Sequence, residues 1–421
     1  MTIYNSKHNH LDSAKAMDGE DSMKHFRSKF HFPKAPNGGE GLYFCGHSLG
    51  LMPKDARKTI ETELDSWEKY GVEGHFEGPF PWLPYHENIT KSFSKLVGAK
   101  ESEVIAMNTL TVNLHMMMIS FYRPTKTRYK ILIENNTFPS DKYAVDSQAR
   151  FHGFNPSDTI VELKPTPGKK TVEPEDVLRQ IRELGDSLAL VMLGNCNYLS
   201  GQCFNFADIA KAAHENGALC GFNLAHGVGN LLLNLHDDDV DFAVWCSYKY
   251  LNSGPGGIAG CFIHEKHITE KNIPRFEGWW GTNKSTRFKM GPNFDAIPTA
   301  EAWQLSNPPI FQLASLRASM NIFDEATMPA LRARGDKLTG YLEYLLKENC
   351  GERLSIITPK ERGSMLCVQL KDDPKKLVKV FTEKGVLLDF REPDILRITP
   401  APLYNNFEDC YKLSQIIKET L

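Results

Sequence analysis

Residues 246–257 read Cys246-Ser247-Tyr248-Lys249-Tyr250-Leu251-Asn252-Ser253-Gly254-Pro255-Gly256-Gly257. The run before Lys249, residues 241–246, is almost entirely apolar, so this lysine is expected at the buried end of a core strand. Burial disfavours the charged form of a lysine, and a neutral amine can form a Schiff base with an aldehyde such as pyridoxal phosphate. The alternative is a solvated lysine beside a glycine turn, and this stretch alone leaves both interpretations open.

Around this stretch the sequence alternates short apolar runs with helical patterns. Strands are predicted at residues 129–134, 159–163, 188–193, 218–223, 241–246 and 259–264, and helices between them at 140–151, 174–184 and 205–216. Apolar strands separated by helices predict an α/β fold with a mainly parallel central sheet. Beyond Pro308-Pro309, two long helices (310–327 and 329–349), short strands and a last helix (407–419) predict a smaller α+β domain.

The chain length favours more than one domain, since 421 residues are many for a single core. Residues 1–25 are predicted to be a mobile N-terminal tail, because they are polar, of mixed charge and without the apolar core of a signal peptide. Residues 26–70 are predicted to contribute to the small domain. The large cofactor-binding domain is predicted at 71–307 and the C-terminal small domain at 308–421.

Composition and charge exclude several classes of partner. A formal net charge of -3 gives no reason to expect nucleic acid or an anionic membrane surface. The nine cysteines are odd in number and contain no C-x-x-C pair, which favours reduced thiols and a cytoplasmic location. No metal site is predicted, because His264-Glu265-Lys266-His267 lacks the H-E-x-x-H spacing and is interpreted as a surface turn.

Polar residues follow several predicted strands, where ligands gather in open α/β sheets. Residues 108–113 precede a helical run, which suits a phosphate, although a simple N-cap is the alternative. Phe138 follows the first strand and could stack on a flat ring, and Asn223 could meet a pyridine nitrogen. Arg397, in a short apolar strand, could pair with a bound carboxylate or form a structural ion pair.

Taken together, these segments resemble the kynureninase family of fold-type I pyridoxal-phosphate hydrolases. The match runs from FCGHSLG at 44–50, through LTVNLH at 110–115, FPSD at 138–141 and WCSYKYLN at 245–252, to STRF at 285–288 and APLYN at 401–405. Tyr248 before the lysine speaks against the related cysteine desulfurases, which typically carry histidine there. The resemblance implies a large domain with a mainly parallel sheet, a smaller α+β domain, and a homodimer with shared active sites.

The resemblance also implies a role for each matched residue. Lys249 would hold pyridoxal 5′-phosphate and move protons, with Tyr248 as a proton relay. Contacts to the cofactor would come from Leu110, Thr111, Phe138, Asp141, Asn223, His226, Tyr248, Trp279 and Asn307, of which Trp279 and Asn307 would belong to the partner subunit. His75, Ser306 and Asn307 would meet the aromatic end of the substrate, and Arg397 would clamp its carboxylate.

The implied reaction is the hydrolysis of L-kynurenine, or of its 3-hydroxy form, to anthranilate or 3-hydroxyanthranilate and L-alanine. This is a step of tryptophan degradation that leads towards pyridine nucleotide biosynthesis. The substrate would be a small amino acid, with no nucleic acid or membrane as partner.

Two positions depart from the family pattern at the cofactor. Asn223 stands where the family usually has aspartate, and Gly194 where it usually offers serine. Asparagine cannot supply the charge that keeps the pyridine nitrogen protonated. Asp141 could supply that charge and leave a slower kynureninase, the site could have shifted to a related substrate, or the protein could bind cofactor with little turnover.

Overall fold

The computed structural model describes residues 4–270, 272–371 and 374–421. The helices are α1 (Leu11–Glu20), α2 (Ala56–Tyr70), α3 (Glu87–Val97), α4 (Leu110–Phe121), α5 (Pro139–Phe151), α6 (Pro156–Thr159), α7 (Pro174–Leu184), α8 (Phe206–Glu215), α9 (Glu265–Ile268), α10 (Ile310–Ala326), α11 (Met328–Cys350), α12 (Pro374–Glu383) and α13 (Phe407–Thr420). The strands are β1 (Leu42–Tyr43), β2 (Val104–Ala106), β3 (Lys130–Glu134), β4 (Ile160–Leu163), β5 (Leu188–Gly194), β6 (Leu219–Asn223), β7 (Phe242–Trp245), β8 (Gly260–Ile263), β9 (Leu354–Ile356), β10 (Leu366–Leu370), β11 (Val386–Leu387), β12 (Asp389–Arg391) and β13 (Ile395–Ile398).

The central sheet of the described chain has seven strands in the order β2-β8-β7-β6-β5-β3-β4. Strands β3 to β7 run parallel to one another, while β8 pairs antiparallel with both of its neighbours. The predicted α/β class with a mainly parallel sheet is therefore confirmed. All six predicted strands belong to this sheet, and β2, three residues long, was not predicted.

A second sheet of four antiparallel strands, in the order β12-β13-β10-β9, lies against α11 and α13. The two-residue strand β1 pairs in parallel with β11, which brings the N-terminal segment to this smaller unit. The proposed domain boundaries stay a prediction. None of the described helices combines the length and the apolar composition that crossing a bilayer would require.

The N-terminal segment differs from the expected mobile tail. Helix α1 packs along α13, with Ala14 buried between them. The carboxylate of Asp18 accepts hydrogen bonds from the backbone N–H groups of Phe407 (2.8 Å) and Glu408 (3.0 Å). These are the unpaired N–H groups at the start of α13, and a polar sequence can bind to them without an apolar face of its own.

The expected surface turn at residues 264–267 is wrong. His264 is buried at the start of α9, and His267 Nε2 lies 2.7 Å from Asp241 Oδ1. In the described chain, Glu103, His236 and His264 place possible ligand atoms within 4.8 Å of one another. Glu103 Oε1 already accepts from His236 Nδ1 (2.9 Å) and from the Glu265 backbone (2.8 Å), so hydrogen bonds account for this cluster.

Candidate active site

A cavity of about 350 Å³ lies beyond the carboxyl ends of the parallel strands, where α/β sheets place their ligands. Cofactor and small-molecule sites usually span roughly 300–1,000 Å³, so the size suits such a ligand. The cavity brings together nine of the predicted residues: Leu110, Thr111, Phe138, Asp141, Asn223, His226, Tyr248, Lys249 and Arg397. These residues come from distant parts of the sequence, and their roles stay predictions.

Lys249 reaches the cavity on the turn that follows β7. Ser247 fixes this turn, because its hydroxyl bonds the backbone oxygen of Ile258 and lies 2.6 Å from the hydroxyl of Ser253. The amine Nζ lies 5.9 Å from the centre of the Phe138 ring. Burial lowers the pKa of Lys249, and the positive charge of Arg397 lowers it further, so a neutral amine is more accessible here than in water.

Asp141 and Asn223 meet at the base of the cavity. Asn223 ends β6, and its Nδ2 donates to Asp141 Oδ2 over 2.7 Å, while its Oδ1 accepts from the Ala225 backbone over 2.9 Å. Asp141 Oδ1 is buried and has no hydrogen-bond partner among the described residues. A buried, unpaired carboxylate oxygen in a cavity wall fits the N–H of a protonated pyridine ring, as pyridoxal phosphate carries.

The cavity also offers groups suited to a phosphate. Helix α4 begins at Leu110, and Thr111 Oγ1 lies 2.9 Å from the hydroxyl of Ser140 in the first turn of α5. Helix starts present unpaired N–H groups and the positive end of the helix dipole, which favour an anion. His226 is buried with Nδ1 unpaired, and burial lowers its pKa well below the usual value, so its imidazole is neutral.

Arg397 also lines the cavity and is almost completely buried. Its Nη1 donates to the backbone oxygen of Tyr198 over 3.1 Å, and its Nη2 donates to the carboxylate of Asp389. Its Nε is buried without a partner in the described chain. The guanidinium is therefore held on two sides, and it presents a desolvated cation that could receive a carboxylate.

Several residues of the cavity wall were not predicted as site residues, among them Glu134, Tyr198 and Arg391. Glu134 is the last residue of β3, and a charged residue at the carboxyl end of a parallel strand was a usable signal. Its carboxylate accepts from the backbone of Gly194 over 2.6 Å and from Asn197 Nδ2 over 2.5 Å. A side chain at Gly194 would place its Cβ 2.8 Å from this carboxylate, so serine there would require the Glu134 side chain to shift.

Four predicted residues lie outside the cavity of their own chain: His75, Trp279, Ser306 and Asn307. Trp279 is 39% exposed, and its Nε1 donates to the backbone oxygen of Arg287 over 3.1 Å. The backbone N–H of Trp280 bonds Leu305, which places Ser306 and Asn307 beside this tryptophan. The single chain therefore does not bring these four residues to Lys249.

Burial of Asp141 in the cavity wall should make the cofactor-free protein less stable above about pH 6 than at pH 4. Burial raises the pKa of Asp141 from 3.8 to about 6, so the folded chain holds this proton more tightly than the unfolded chain. The stability that it contributes is complete below about pH 4, and it is lost as the pH rises to about 6, by about 3 kcal/mol. Asp141→Asn is therefore expected to raise the Tm of the apoprotein by several degrees at pH 8 and little at pH 4.

Thermal unfolding of the apoprotein at pH 4, 6 and 8 checks this expectation. Asp55→Asn, at an exposed carboxyl before α2, is the matched control and should leave the pH profile unchanged. Equal shifts for both variants at every pH would contradict the role of burial at Asp141.

Comparison with known proteins places the chain in a family. Residues 331–417 match the model of the kynureninase C-terminal domain. The chain is 54% identical over 408 residues to the kynureninase of Myxococcus xanthus, covering 96% of each chain, and 52% identical to that of Koribacter versatilis, covering 95% of each. It is also 45% identical to the kynureninase of Nematostella vectensis, covering 95% of this chain and 92% of that one.

Solved structures with the same fold include the Escherichia coli cysteine desulfurase CsdA, with a TM-score of 0.76 at 15% identity, covering 95% of this chain and 98% of that one. The cystine C-S lyase C-DES superposes with a TM-score of 0.74 at 16% identity, covering 91% and 99% of the two chains. At such low identity these likenesses show the fold alone. Since relatives about half identical match along almost the whole chain, this protein belongs to the kynureninase family.

Proposed function

We propose that this protein hydrolyses L-kynurenine, its 3-hydroxy form or both, to anthranilate or 3-hydroxyanthranilate and L-alanine. Family membership makes the chain an enzyme that uses pyridoxal 5′-phosphate, in tryptophan degradation towards pyridine nucleotides. The observation that carries the proposal is the cavity that joins Lys249, the unpaired oxygen of Asp141 and the buried Arg397. A shifted substrate, or cofactor binding with little turnover, is not favoured at this level of identity.

Different residues of the cavity suit different parts of the cofactor. The starts of α4 and α5 would hold the phosphate, the Phe138 ring would stack on the pyridine ring, and Asp141 Oδ1 would accept from the ring N–H. Lys249 would bind the aldehyde carbon. When bound, pyridoxal phosphate supplies an electron sink for the bonds at the α-carbon of an amino acid.

The side chains of this protein then divide the remaining work. Arg397 would pair with the carboxylate of the substrate and fix its orientation. The Lys249 amine, whose pKa burial lowers, would take the α-proton and return a proton later. Burial raises the pKa of Tyr248, so its phenol stays protonated and could donate to the side-chain ketone that water attacks. Cleavage of the bond between the ketone carbon and the β-carbon yields anthranilate and alanine.

Turnover of the purified protein tests this proposal. Protein loaded with pyridoxal phosphate is mixed with L-kynurenine, and anthranilate is followed by its fluorescence while alanine is measured separately. Equal amounts of both products are expected. Bound cofactor without either product, from both kynurenine and 3-hydroxykynurenine, would overturn the proposed reaction.

We propose further that the active protein is a homodimer whose two chains complete each other's sites. An aromatic strip of Phe76, Trp279 and Phe288 lies on the surface, with exposed fractions of 57%, 39% and 51%. The Phe288 ring centre lies 6.4 Å from that of Phe76 and 5.5 Å from that of Trp279. Exposed apolar patches of this kind often mark interfaces between chains. This strip contains Trp279 and adjoins the other three predicted residues that lie outside the cavity.

Mixing two inactive variants is expected to restore activity. Lys249→Ala lacks the lysine and Asn307→Ala lacks the amide, so a mixed dimer contains one site with both groups, and about a quarter of the wild-type sites return. The measurement is kynurenine turnover after joint refolding or coexpression, with a native mass of twice 47.6 kDa. A mixture of Lys249→Ala with Arg397→Ala is the control and should stay inactive, because both groups line the same cavity. Activity of Asn307→Ala alone, or no recovery on mixing, would contradict shared sites.

We also propose a cytoplasmic location. All nine cysteines are free, and Cys196, Cys220 and Cys261 are among those that are buried. Free thiols in this number suit a reducing compartment.

A further inference from the structure

His47 lies in the wall of the cavity, although the motif that contains it suggested no role for it. Its side chain is completely buried, and its ring centre lies 6.2 Å from that of His226. His47 belongs to the N-terminal segment after β1, whereas Arg397 belongs to β13 of the small sheet. The site therefore depends on a contact between parts of the chain that are more than three hundred residues apart.

Both nitrogens of His47 are engaged. Nε2 lies 3.2 Å from Asp389 Oδ2, and Nδ1 lies 2.8 Å from Thr399 Oγ1. An ionised carboxylate only accepts hydrogen bonds, so the proton of the neutral ring lies on Nε2, and Nδ1 accepts from the threonine hydroxyl. Burial lowers the pKa of His47 to about 4, which keeps the ring neutral at physiological pH.

Asp389 accepts a hydrogen bond from Arg397, and a second arginine, Arg391, lies close enough to compete for the same carboxylate. Its Oδ2 accepts from Arg397 Nη2 and lies 3.3 Å from Arg391 Nη2. The side chain of Arg391 is 39% exposed, whereas that of Arg397 is 3% exposed. A carboxylate that turned towards the solvated arginine would leave the buried guanidinium without its main partner.

We infer that His47 is a positioning residue, which fixes Asp389 and through it the guanidinium of Arg397 for the carboxylate of the substrate. The inference rests on the proposed function, which assigns that carboxylate to Arg397. The neutral N–H of His47 directs the carboxylate inward without adding a charge to a wall that already holds two arginines. Affinity for an amino acid then depends on a residue that does not touch its carboxylate, since preorganised partners cost least to bind.

Two ligands separate this role from a general structural one. Protein loaded with pyridoxal phosphate is titrated with L-alanine, which has a carboxylate, and with ethylamine, which lacks one, and binding is followed by cofactor absorbance. His47→Phe keeps a buried ring and removes both nitrogens, so the Kd for L-alanine should rise by about tenfold while that for ethylamine changes less than about twofold. The KM for kynurenine should rise by a similar factor, with kcat changed less than about threefold.

His47→Gln should recover most of the affinity, because its amide N–H reaches a similar position. Arg397→Ala tests the underlying assignment. If Arg397→Ala weakens L-alanine but not ethylamine, and His47→Phe weakens neither or both equally, the role of His47 is wrong while the proposed function stands. If Arg397→Ala does not affect L-alanine, the assigned role of Arg397 fails, and the role of His47 fails with it.

Thr399→Val provides a second test should His47→Phe fail to fold. Valine has the shape of threonine and removes the hydroxyl that donates to Nδ1 and holds the ring in its orientation. It should weaken L-alanine by about threefold and leave ethylamine unchanged. An unchanged L-alanine affinity in this variant would overturn the inference.

Discussion

Replacing Lys249 by alanine is expected to lower kynurenine turnover by at least about a thousandfold. General acid–base catalysis alone contributes about a hundred to ten thousandfold, and this variant loses the covalent attachment of the cofactor as well. Lys249 stands in the cavity wall on a turn fixed by Ser247, so alanine removes the amine without removing a packing partner of the core. The expected result is therefore a folded protein with almost no activity.

Two measurements separate the loss of chemistry from the loss of folding. Borohydride should fix the cofactor to the wild-type chain, visible by intact mass, and should not fix it to the alanine variant. Lys58→Ala, at an exposed lysine on α2, is the matched control and should behave as wild type in both assays. Turnover within tenfold of wild type in Lys249→Ala would remove this lysine from the mechanism.

Replacing Asp141 by asparagine should cost about two or more powers of ten in turnover, whereas Asn223→Asp should change it by less than about threefold. A carboxylate that keeps the pyridine nitrogen of the cofactor protonated, and so strengthens the ring as an electron sink, is worth a few kcal/mol. In this protein Asp141 Oδ1 has no hydrogen-bond partner among the described residues, and Asn223 Nδ2 donates to Asp141 Oδ2 over 2.7 Å. An aspartate at 223 would lie beside that carboxylate, and the two would share one proton, which leaves a single charge as before.

The exchange variant Asp141→Asn with Asn223→Asp is the sharpest comparison. It returns one carboxylate to the base of the cavity from the other side, so it should recover at least tenfold over Asp141→Asn alone. Steady-state kinetics, together with the affinity for pyridoxal phosphate, decide the matter. A large gain in rate from Asn223→Asp alone would instead show that Asn223 limits the enzyme and that Asp141 does not supply the charge.

Most of the central sheet could be predicted because its signals are local. Buried parallel strands are short apolar runs, and caps such as Pro174 mark the helices between them. Strand β2 was not predicted, because three residues are too few to show an alternating or continuous apolar pattern. The packing of the N-terminal helix α1 was not predicted, because it depends on the hydrogen bonds from the start of α13 to Asp18, and these residues are far apart in the sequence.

The residues of the cavity wall could be predicted to a similar extent and for a similar reason, and their roles stay predictions. Residues that sit in a recognisable motif, such as Phe138 and Lys249, reached the cavity as expected. Arg391 and Asp389 were not predicted as residues at or near the site. Their position depends on the pairing of β12 with β13, and no pattern in the sequence indicates that pairing. The four residues outside the cavity are not brought to Lys249 within the single chain, and only the proposed homodimer would use them at a site.

The cavity is lined by residues from two different sheets, so a substrate that contacts both would connect the two sheets. Lys249 follows the central sheet, while Arg397 belongs to the small one. In the proposed site, an amino acid bound at its amine end and at its carboxylate end would tie both sheets together, whereas a simple amine would hold only one. At equal saturation, the amino acid should therefore oppose a partial separation of the two sheets, measured as slower proteolysis, whereas a simple amine should not. The enzyme should be most robust in a cell that supplies its substrate.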